Sequence, residues 1–406
     1  NAEPFYLKPS ALGNYLLYNR NRELISSNGS ALSNVASADA TDNAEWTVLG
    51  VGDSTEYPAA PQYNVEPTAD EVASYMSFVD PNLEFSEFTV NSGVSGSQLA
   101  IASGGALTTV AAGSDPDNSS FTFEAVSGCS EYPEAQSNFS GTPFKGTLPD
   151  GRVLGHADVH VHISSSEFLG GGQWGHAYHK FGIEHALGDC DAAHGPTGHL
   201  DLIGGLFTQD TDGHATDGYP TFTEWPSRGH LTHEAIYWKW LERAWAAGLR
   251  VVVNDLVDNE TLCELQRNAS GDPLRDCNSM NNAGRQAGTM YGMMDYIDAQ
   301  YGGRGDGFFQ IVHDPAAARE VIADGKIAVV LGIEISNLFN CKLTYGPLRM
   351  QPPETEDGSG GIENAYGCTT QEGLPNSILT QMERLHGLGV RQIISIHEFD
   401  NAMGGN

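Results

Sequence analysis

Two histidines one residue apart, His160 and His162, lie in the run HADVHVHIS. The run reads as a strand. Side chains alternate across a strand, so Asp158, His160 and His162 share one face while Val159 and Val161 take the other. Two imidazoles at that spacing can chelate one divalent cation, with metal–nitrogen contacts of about 2.1 Å. Glu334 lies near the end of a second apolar run, IAVVLGIEIS. A carboxylate in such surroundings needs a cation, a metal or a hydrogen-bonding partner, because an unpaired buried charge is costly. His397 follows a third run, VRQIISIHEFDN. Each has an ordinary explanation when taken singly: a chance His-x-His among 14 histidines, half of a structural ion pair, a hydrogen-bonded core histidine. Their common place at the C-terminal ends of strands points instead to one centre holding one or two divalent ions, zinc first among the candidates.

Other residues compete for the same pocket. His313 ends the strand FFQIVHDP, and Asn254, Asp255 and Asp258 end the strand RVVVNDLVD, so His313 and Asp255 join Asp158 as pocket candidates. Asp314, just before Pro315, reads as a helix N-cap. His156 is expected as a core hydrogen-bonding residue and Arg391 as half of a structural pair. An insertion at about 164–230 carries His176, His179, His185, His194 and His199 with Asp189, Cys190 and Asp191. That composition allows a second metal site, and it equally describes a lid whose histidines make hydrogen bonds. No nucleophile elbow and no phosphate-cradling glycine pattern is visible.

The elements that must position these residues fall in two regions. From about 146 to 406, apolar strands alternate with amphipathic helices, as expected of an α/β unit with a parallel sheet. Helical stripes run through Tyr237, Trp240, Leu241 and Trp245, and through Ile378, Met382 and Leu385. Residues 1 to about 145 are rich in Ser, Gly, Asn and Thr, with short alternating strands, and read as an all-β module. Two hairpin units of about 45 residues, each with a closing aromatic strand (AEWTVLG and FTFEAVSGC), give it a trefoil-like or fascin-like pattern. The stretch between them, YNVEPTADEVASYMSFVDP, reads as partly helical.

The motifs HADVHVH, VVLGIEIS and GVRQIISIHEFDNAMGG together resemble those of the amidohydrolase superfamily of metal-dependent hydrolases, and among these the membrane dipeptidases. The resemblance spans about residues 150 to 406 in organisation, and its specific part is these three strand motifs. It implies a (β/α)8 TIM-type barrel, His160 and His162 as strand-one ligands, Glu334 as a metal-bridging carboxylate and His397 as the next ligand. It implies metal-activated water attacking an amide or ester bond. Membrane dipeptidases carry His-x-Asp on strand one, where this chain has His-x-His. The family pattern continues with a histidine on strand six and a general-base aspartate on strand eight, whereas this sequence ends after the fifth βα unit. The catalytic aspartate is therefore expected beyond residue 406, on a second polypeptide that completes the barrel, most simply the C-terminal remainder of the same precursor.

Composition narrows the partners. Twenty Lys and Arg against 52 Asp and Glu leave a formal charge of −32, which repels nucleic acid. No apolar run is long enough to span a bilayer. Six cysteines, with Cys263/Cys277 and Cys341/Cys368 flanking polar or Gly/Pro-rich loops, look like loop-closing disulfides of an exported protein whose signal has been removed, secreted, periplasmic or on the cell surface. The expected partner is a small-molecule or peptide substrate. The competing expectation is a non-catalytic extracellular binding or matrix protein, with the β module holding glycans.

Overall fold

The structure is a computed structural model and describes residues 3–209, 212–225, 232–341, 377–397 and 401–405. Its N-terminal part is one antiparallel sheet of eight strands: β1 (Tyr6–Ala11), β2 (Asn14–Tyr18), β3 (Glu23–Ser27), β4 (Leu32–Ala36), β5 (Glu45–Gly50), β6 (Phe88–Ser92), β7 (Ser97–Ile101) and β8 (Leu107–Ala111). The strand order is β4-β3-β2-β5-β6-β7-β8 with β1 beside β2, and the sheet curls into a nearly closed, barrel-like form. Leu16, Leu24 and Trp46 are its largest fully buried side chains, and the Trp46 indole donates to the Ile25 carbonyl (2.9 Å). The two expected hairpin units are joined through β5 and β6, but they are not equivalent. AEWTVLG forms β5, whereas FTFEAVSGC contributes only the bridge of Phe121 to Phe88. Helix α1 (Ala69–Ser77) lies between the units, started by a capping box of Thr68 and Glu71.

The second sheet is parallel. Its strands are β9 (His156–Val161), β10 (Leu249–Asp258), β11 (Phe309–Ile311), β12 (Ile327–Ile335) and β13 (Val390–Ile394), five runs that the hydrophobic pattern marks. Between β9 and β10 come the short helices α2 (Phe168–Gly171), α3 (Ile183–Ala186), α4 (Asp191–His194) and α5 (Leu202–Thr208), then α6 (Trp238–Ala246). Helices α7 (Glu260–Ser270) and α8 (Ser279–Tyr301) precede β11, α9 (Pro315–Ala323) precedes β12 and α10 (Ile378–Gly387) precedes β13.

The order of these strands differs from the barrel expectation. Successive strands of a (β/α)8 barrel are neighbours, with every helix outside. Here β12 lies between β10 and β11. One edge of β12 pairs with β11 along Ile327–Val329 and with β13 along Leu331–Glu334. The chain therefore steps over β12 and then back. Right-handed crossovers in opposite directions place their helices on opposite faces. Accordingly, α8 packs against Val329, Leu331 and Ile333, while α9 packs through Ile322 on Ala328, Val330 and Val251. The described sheet is open, with α9 covering only the lower half of its second face.

Helix α8 is buried around most of its circumference. Gly284, Gly288 and Gly292 make a flat stripe on it, against which the chain at 61–66 lies so closely that a Cβ at Gly288 would overlap the Val65 carbonyl. Glycine costs about 1 kcal/mol in a helix interior, so the stripe is there for this approach. Val72 and Tyr75 of α1 enter the same core. The β1–β2 hairpin docks on α8 as well. Lys8 donates to the Tyr296 hydroxyl (2.7 Å), and the Leu12 N–H donates to the Asp295 carboxylate (3.0 Å). Cys263 and Cys277 form a disulfide, and Cys129 and Cys190 are in none; Cys368 lies outside the described residues. Among the described residues no helix is long and apolar enough to cross a membrane.

Candidate metal centres

Three of the four residues expected as ligands meet on the half of the sheet that α9 leaves open. His160 Nε2 lies 2.8 Å, and His162 Nε2 3.6 Å, from the same Glu334 Oε2. The β9 strand is held for this by Asn254, whose side-chain oxygen accepts from the Ile163 N–H (2.6 Å). His162 Nδ1 faces the Asp255 carbonyl at 2.8 Å. A carbonyl can only accept, so the proton sits on Nδ1 and the lone pair on Nε2 points toward Glu334. Burial lowers the His162 pKa, with the Asp255 carbonyl and Glu334 opposing and His160 and His397 reinforcing, and so favours the neutral imidazole that a ligand must be. Glu334 is 12 % exposed and His160 half exposed, so the cluster is open to solvent on one side.

Asp255 stands beside it. In register with Gly332, it projects from the same face as Glu334, and a Cβ at Gly332 would overlap its Oδ1. The residue is fully buried. Gln392 donates to Oδ1 at 3.3 Å, while Oδ2 has no hydrogen-bond partner. Burial pushes this carboxyl up to about 6, with His160 opposing and Glu334 reinforcing the shift. A buried, half-satisfied carboxyl beside two imidazoles and a second carboxylate fits a divalent cation.

The remaining expected residues go elsewhere. His397 gives Nδ1 to the Asp258 carbonyl (3.2 Å) and is not in the group whose donor atoms lie within 4.8 Å of one another. Asp158 is exposed and accepts from the His160 N–H (3.3 Å). His313 is not at the pocket: β11 ends halfway along β12, so the histidine meets the start of β13 and the Tyr291 hydroxyl (2.8 Å). Asp258 accepts from the Leu169 N–H, and Asn254 donates to Ser164. His156 is exposed on the edge strand rather than in the core, and Arg391 binds the carbonyls of His313, His386 and Val390 rather than a carboxylate.

A second cluster lies in the β9–β10 connection. Cys190, His194, His214 and His233 place one donor atom each within 4.8 Å of one another and form a candidate metal-binding site. Cys190 and His194 are one helical turn apart at α4. His233 Nε2 lies 3.4 Å from Cys190 Sγ, close to the donor separation of about 3.5 Å in a tetrahedral zinc site. His214 Nδ1 faces the Ala215 carbonyl (2.9 Å), which again leaves the lone pair on Nε2. Burial pushes the Cys190 thiol up to about 12, with Asp201, Asp191 and Asp189 reinforcing. Cys190 and His194 carried a legible signal, Cys-x3-His on a helical turn. His214 and His233 carried none, because they follow at no fixed spacing. The other described histidines of the insertion are otherwise engaged: His176 with the Tyr63 hydroxyl, His179 stacked on His185, His185 with the Ser37 carbonyl and His199 with Thr197. A cavity of about 570 Å³ opens beside the cluster, lined by Trp174, His176, His194, Asp201, Gln266 and Arg275.

Compared with family models, curated proteins and solved structures, the chain finds no match.

Proposed function

We propose that the protein is a divalent-metal-dependent hydrolase acting on an amide or ester bond of a small molecule or peptide, with its catalytic ion at His160, His162 and Glu334. The observation that carries this reading is the meeting of His160 and His162 Nε2 with one Glu334 oxygen across strands far apart in the chain. The unpartnered Asp255 Oδ2 beside them supports it. A zinc-type ion there would polarise a carbonyl and supply hydroxide near neutral pH. The protein's own part is orientation. The Asp255 carbonyl fixes the His162 tautomer, and Gln392 donates to one oxygen of the Asp255 carboxyl. Neither Asp255 nor His397 has a donor atom in the group of His160, His162 and Glu334, and His397, with Nδ1 on the Asp258 carbonyl, keeps the tautomer whose Nε2 can ligate. The Cys263–Cys277 disulfide supports an oxidising, extracytoplasmic place of work.

Elemental analysis of unchelated protein, paired with hydrolysis assays on dipeptides, N-acyl amino acids and lactones, tests the reading. His160→Ala combined with His162→Ala should lower the metal content by about one equivalent per chain and abolish hydrolysis, with the far-ultraviolet circular dichroism unchanged. A double variant that hydrolyses as the wild type does, or wild-type protein that binds metal at this site and cleaves nothing, refutes it.

A further inference from the structure

The β9–β10 connection packs Tyr178, Ile183, Leu187 and Trp225 into the main core but has little regular secondary structure of its own. Its helices α2 to α5 run four to seven residues, and its extended structure among the described residues is the single bridge of Trp174 to His233. Long connections without secondary structure of their own are uncommon in compact proteins, and small units with thin cores commonly rely on a metal or a disulfide. We propose that Cys190, His194, His214 and His233 hold one zinc ion as a closed structural site that staples this connection. The four donors come from three separate stretches of it, at 190–194, 214 and 233, so one ion would fasten all three. Four protein donors complete a tetrahedron and leave no position for water, which is the arrangement of structural rather than catalytic zinc. Cys190, His194 and His233 are buried.

The surroundings are built for this as well. Asp201 caps α5 by accepting from the Gly204 N–H (2.8 Å) through Oδ1. Its Oδ2 accepts from the Thr232 hydroxyl (2.5 Å) and lies 3.5 Å from His214 Nε2. One carboxylate thus ties α5, the His214 imidazole and the residue preceding His233. Behind His214 it is the Ala215 carbonyl, at Nδ1, that fixes the ring as carbonyls do behind metal-ligating histidines, whereas Asp201 lies on the Nε2 side. The proposal is independent of the hydrolytic reading, since it shares no ligand with His160, His162 and Glu334.

Cobalt(II) distinguishes the two centres, because only this one contains sulfur. Protein stripped of metal and reloaded with Co²⁺ should show tetrahedral visible bands and a thiolate-to-cobalt band in the near ultraviolet. Cys190→Ser should remove the sulfur band, whereas His160→Ala with His162→Ala should leave it intact. Should Cys190→Ser fold poorly, His214→Cys keeps a tetrahedral ligand set and should retain the metal with a stronger sulfur band. Limited proteolysis reports the staple: stripping should expose cleavage sites within 164–237, and returning Zn²⁺ to the wild type should close them. Loaded protein without a sulfur band, a band that survives Cys190→Ser, or equal protease resistance with and without metal would overturn the proposal.

Discussion

Glu167 shows how far a single buried carboxyl can move. It is fully enclosed, accepting from the Thr289 hydroxyl (2.8 Å) and the Ser166 hydroxyl (3.0 Å), and burial outweighs these bonds to push its carboxyl up to about 7. The folded state therefore holds a proton that the unfolded chain releases above about pH 4.5. Stability attributable to this group is complete below that pH and is lost as pH rises through about 7, by about 3 kcal/mol in all. Glu167→Gln, which cannot ionise, should unfold at higher urea than the wild type at pH 8 and at nearly the same urea at pH 5. Equal midpoint differences at the two pH values would refute the assignment. At this scale the His-x-His and Glu334 were legible, because strand alternation is a local rule. Asp255 was legible only as a strand-end residue, since its role depends on the absent side chain of Gly332 in the neighbouring strand.

The elements teach a different lesson. All five parallel strands could be read from apolar runs, and the N-cap of α9 from Asp314 before Pro315; its carboxylate accepts from the Ala316 and Ala317 N–H groups (2.8 and 3.0 Å). Their order could not. With β11 only three residues long, half of one edge of β12 falls to β13, and pairing of that kind depends on distant chain rather than on local pattern. The misplacement of His313 follows directly. Gly332 links strand order to the site: it sits on β12 opposite Asp255, where any side chain would displace the carboxyl. Gly332→Ala should cost about 1–3 kcal/mol by overpacking and weaken metal binding at His160 and His162 without affecting the Cys190 centre. Isothermal titration of stripped protein with Zn²⁺ would check it, and an unchanged affinity at both centres would count against the placement of Asp255.

For the molecule as a whole, the charge of −32 is the dominant electrostatic fact. Like charges on a compact surface repel, and salt shortens their reach from about 30 Å at 0.01 M to about 3 Å at 1 M. Raising NaCl across that range at fixed metal content should lift the thermal midpoint on the order of 5 °C, read by circular dichroism, and a flat or falling midpoint would contradict it. The separation into a β-rich first third and an α/β remainder was legible from composition; the dependence of one on the other was not, because the glycine stripe of α8 reveals itself only when the chain at 61–66 is laid on it. That stripe bears on how such a protein could be rearranged. The antiparallel sheet lends Lys8, Leu12, Val72 and Tyr75 of its own stretch of chain to α8. It is therefore not a portable cassette. A recombination joint near residue 145 would hand a new partner two unfinished surfaces, and only joints that carry α8 along with the N-terminal sheet would pass on an intact interior.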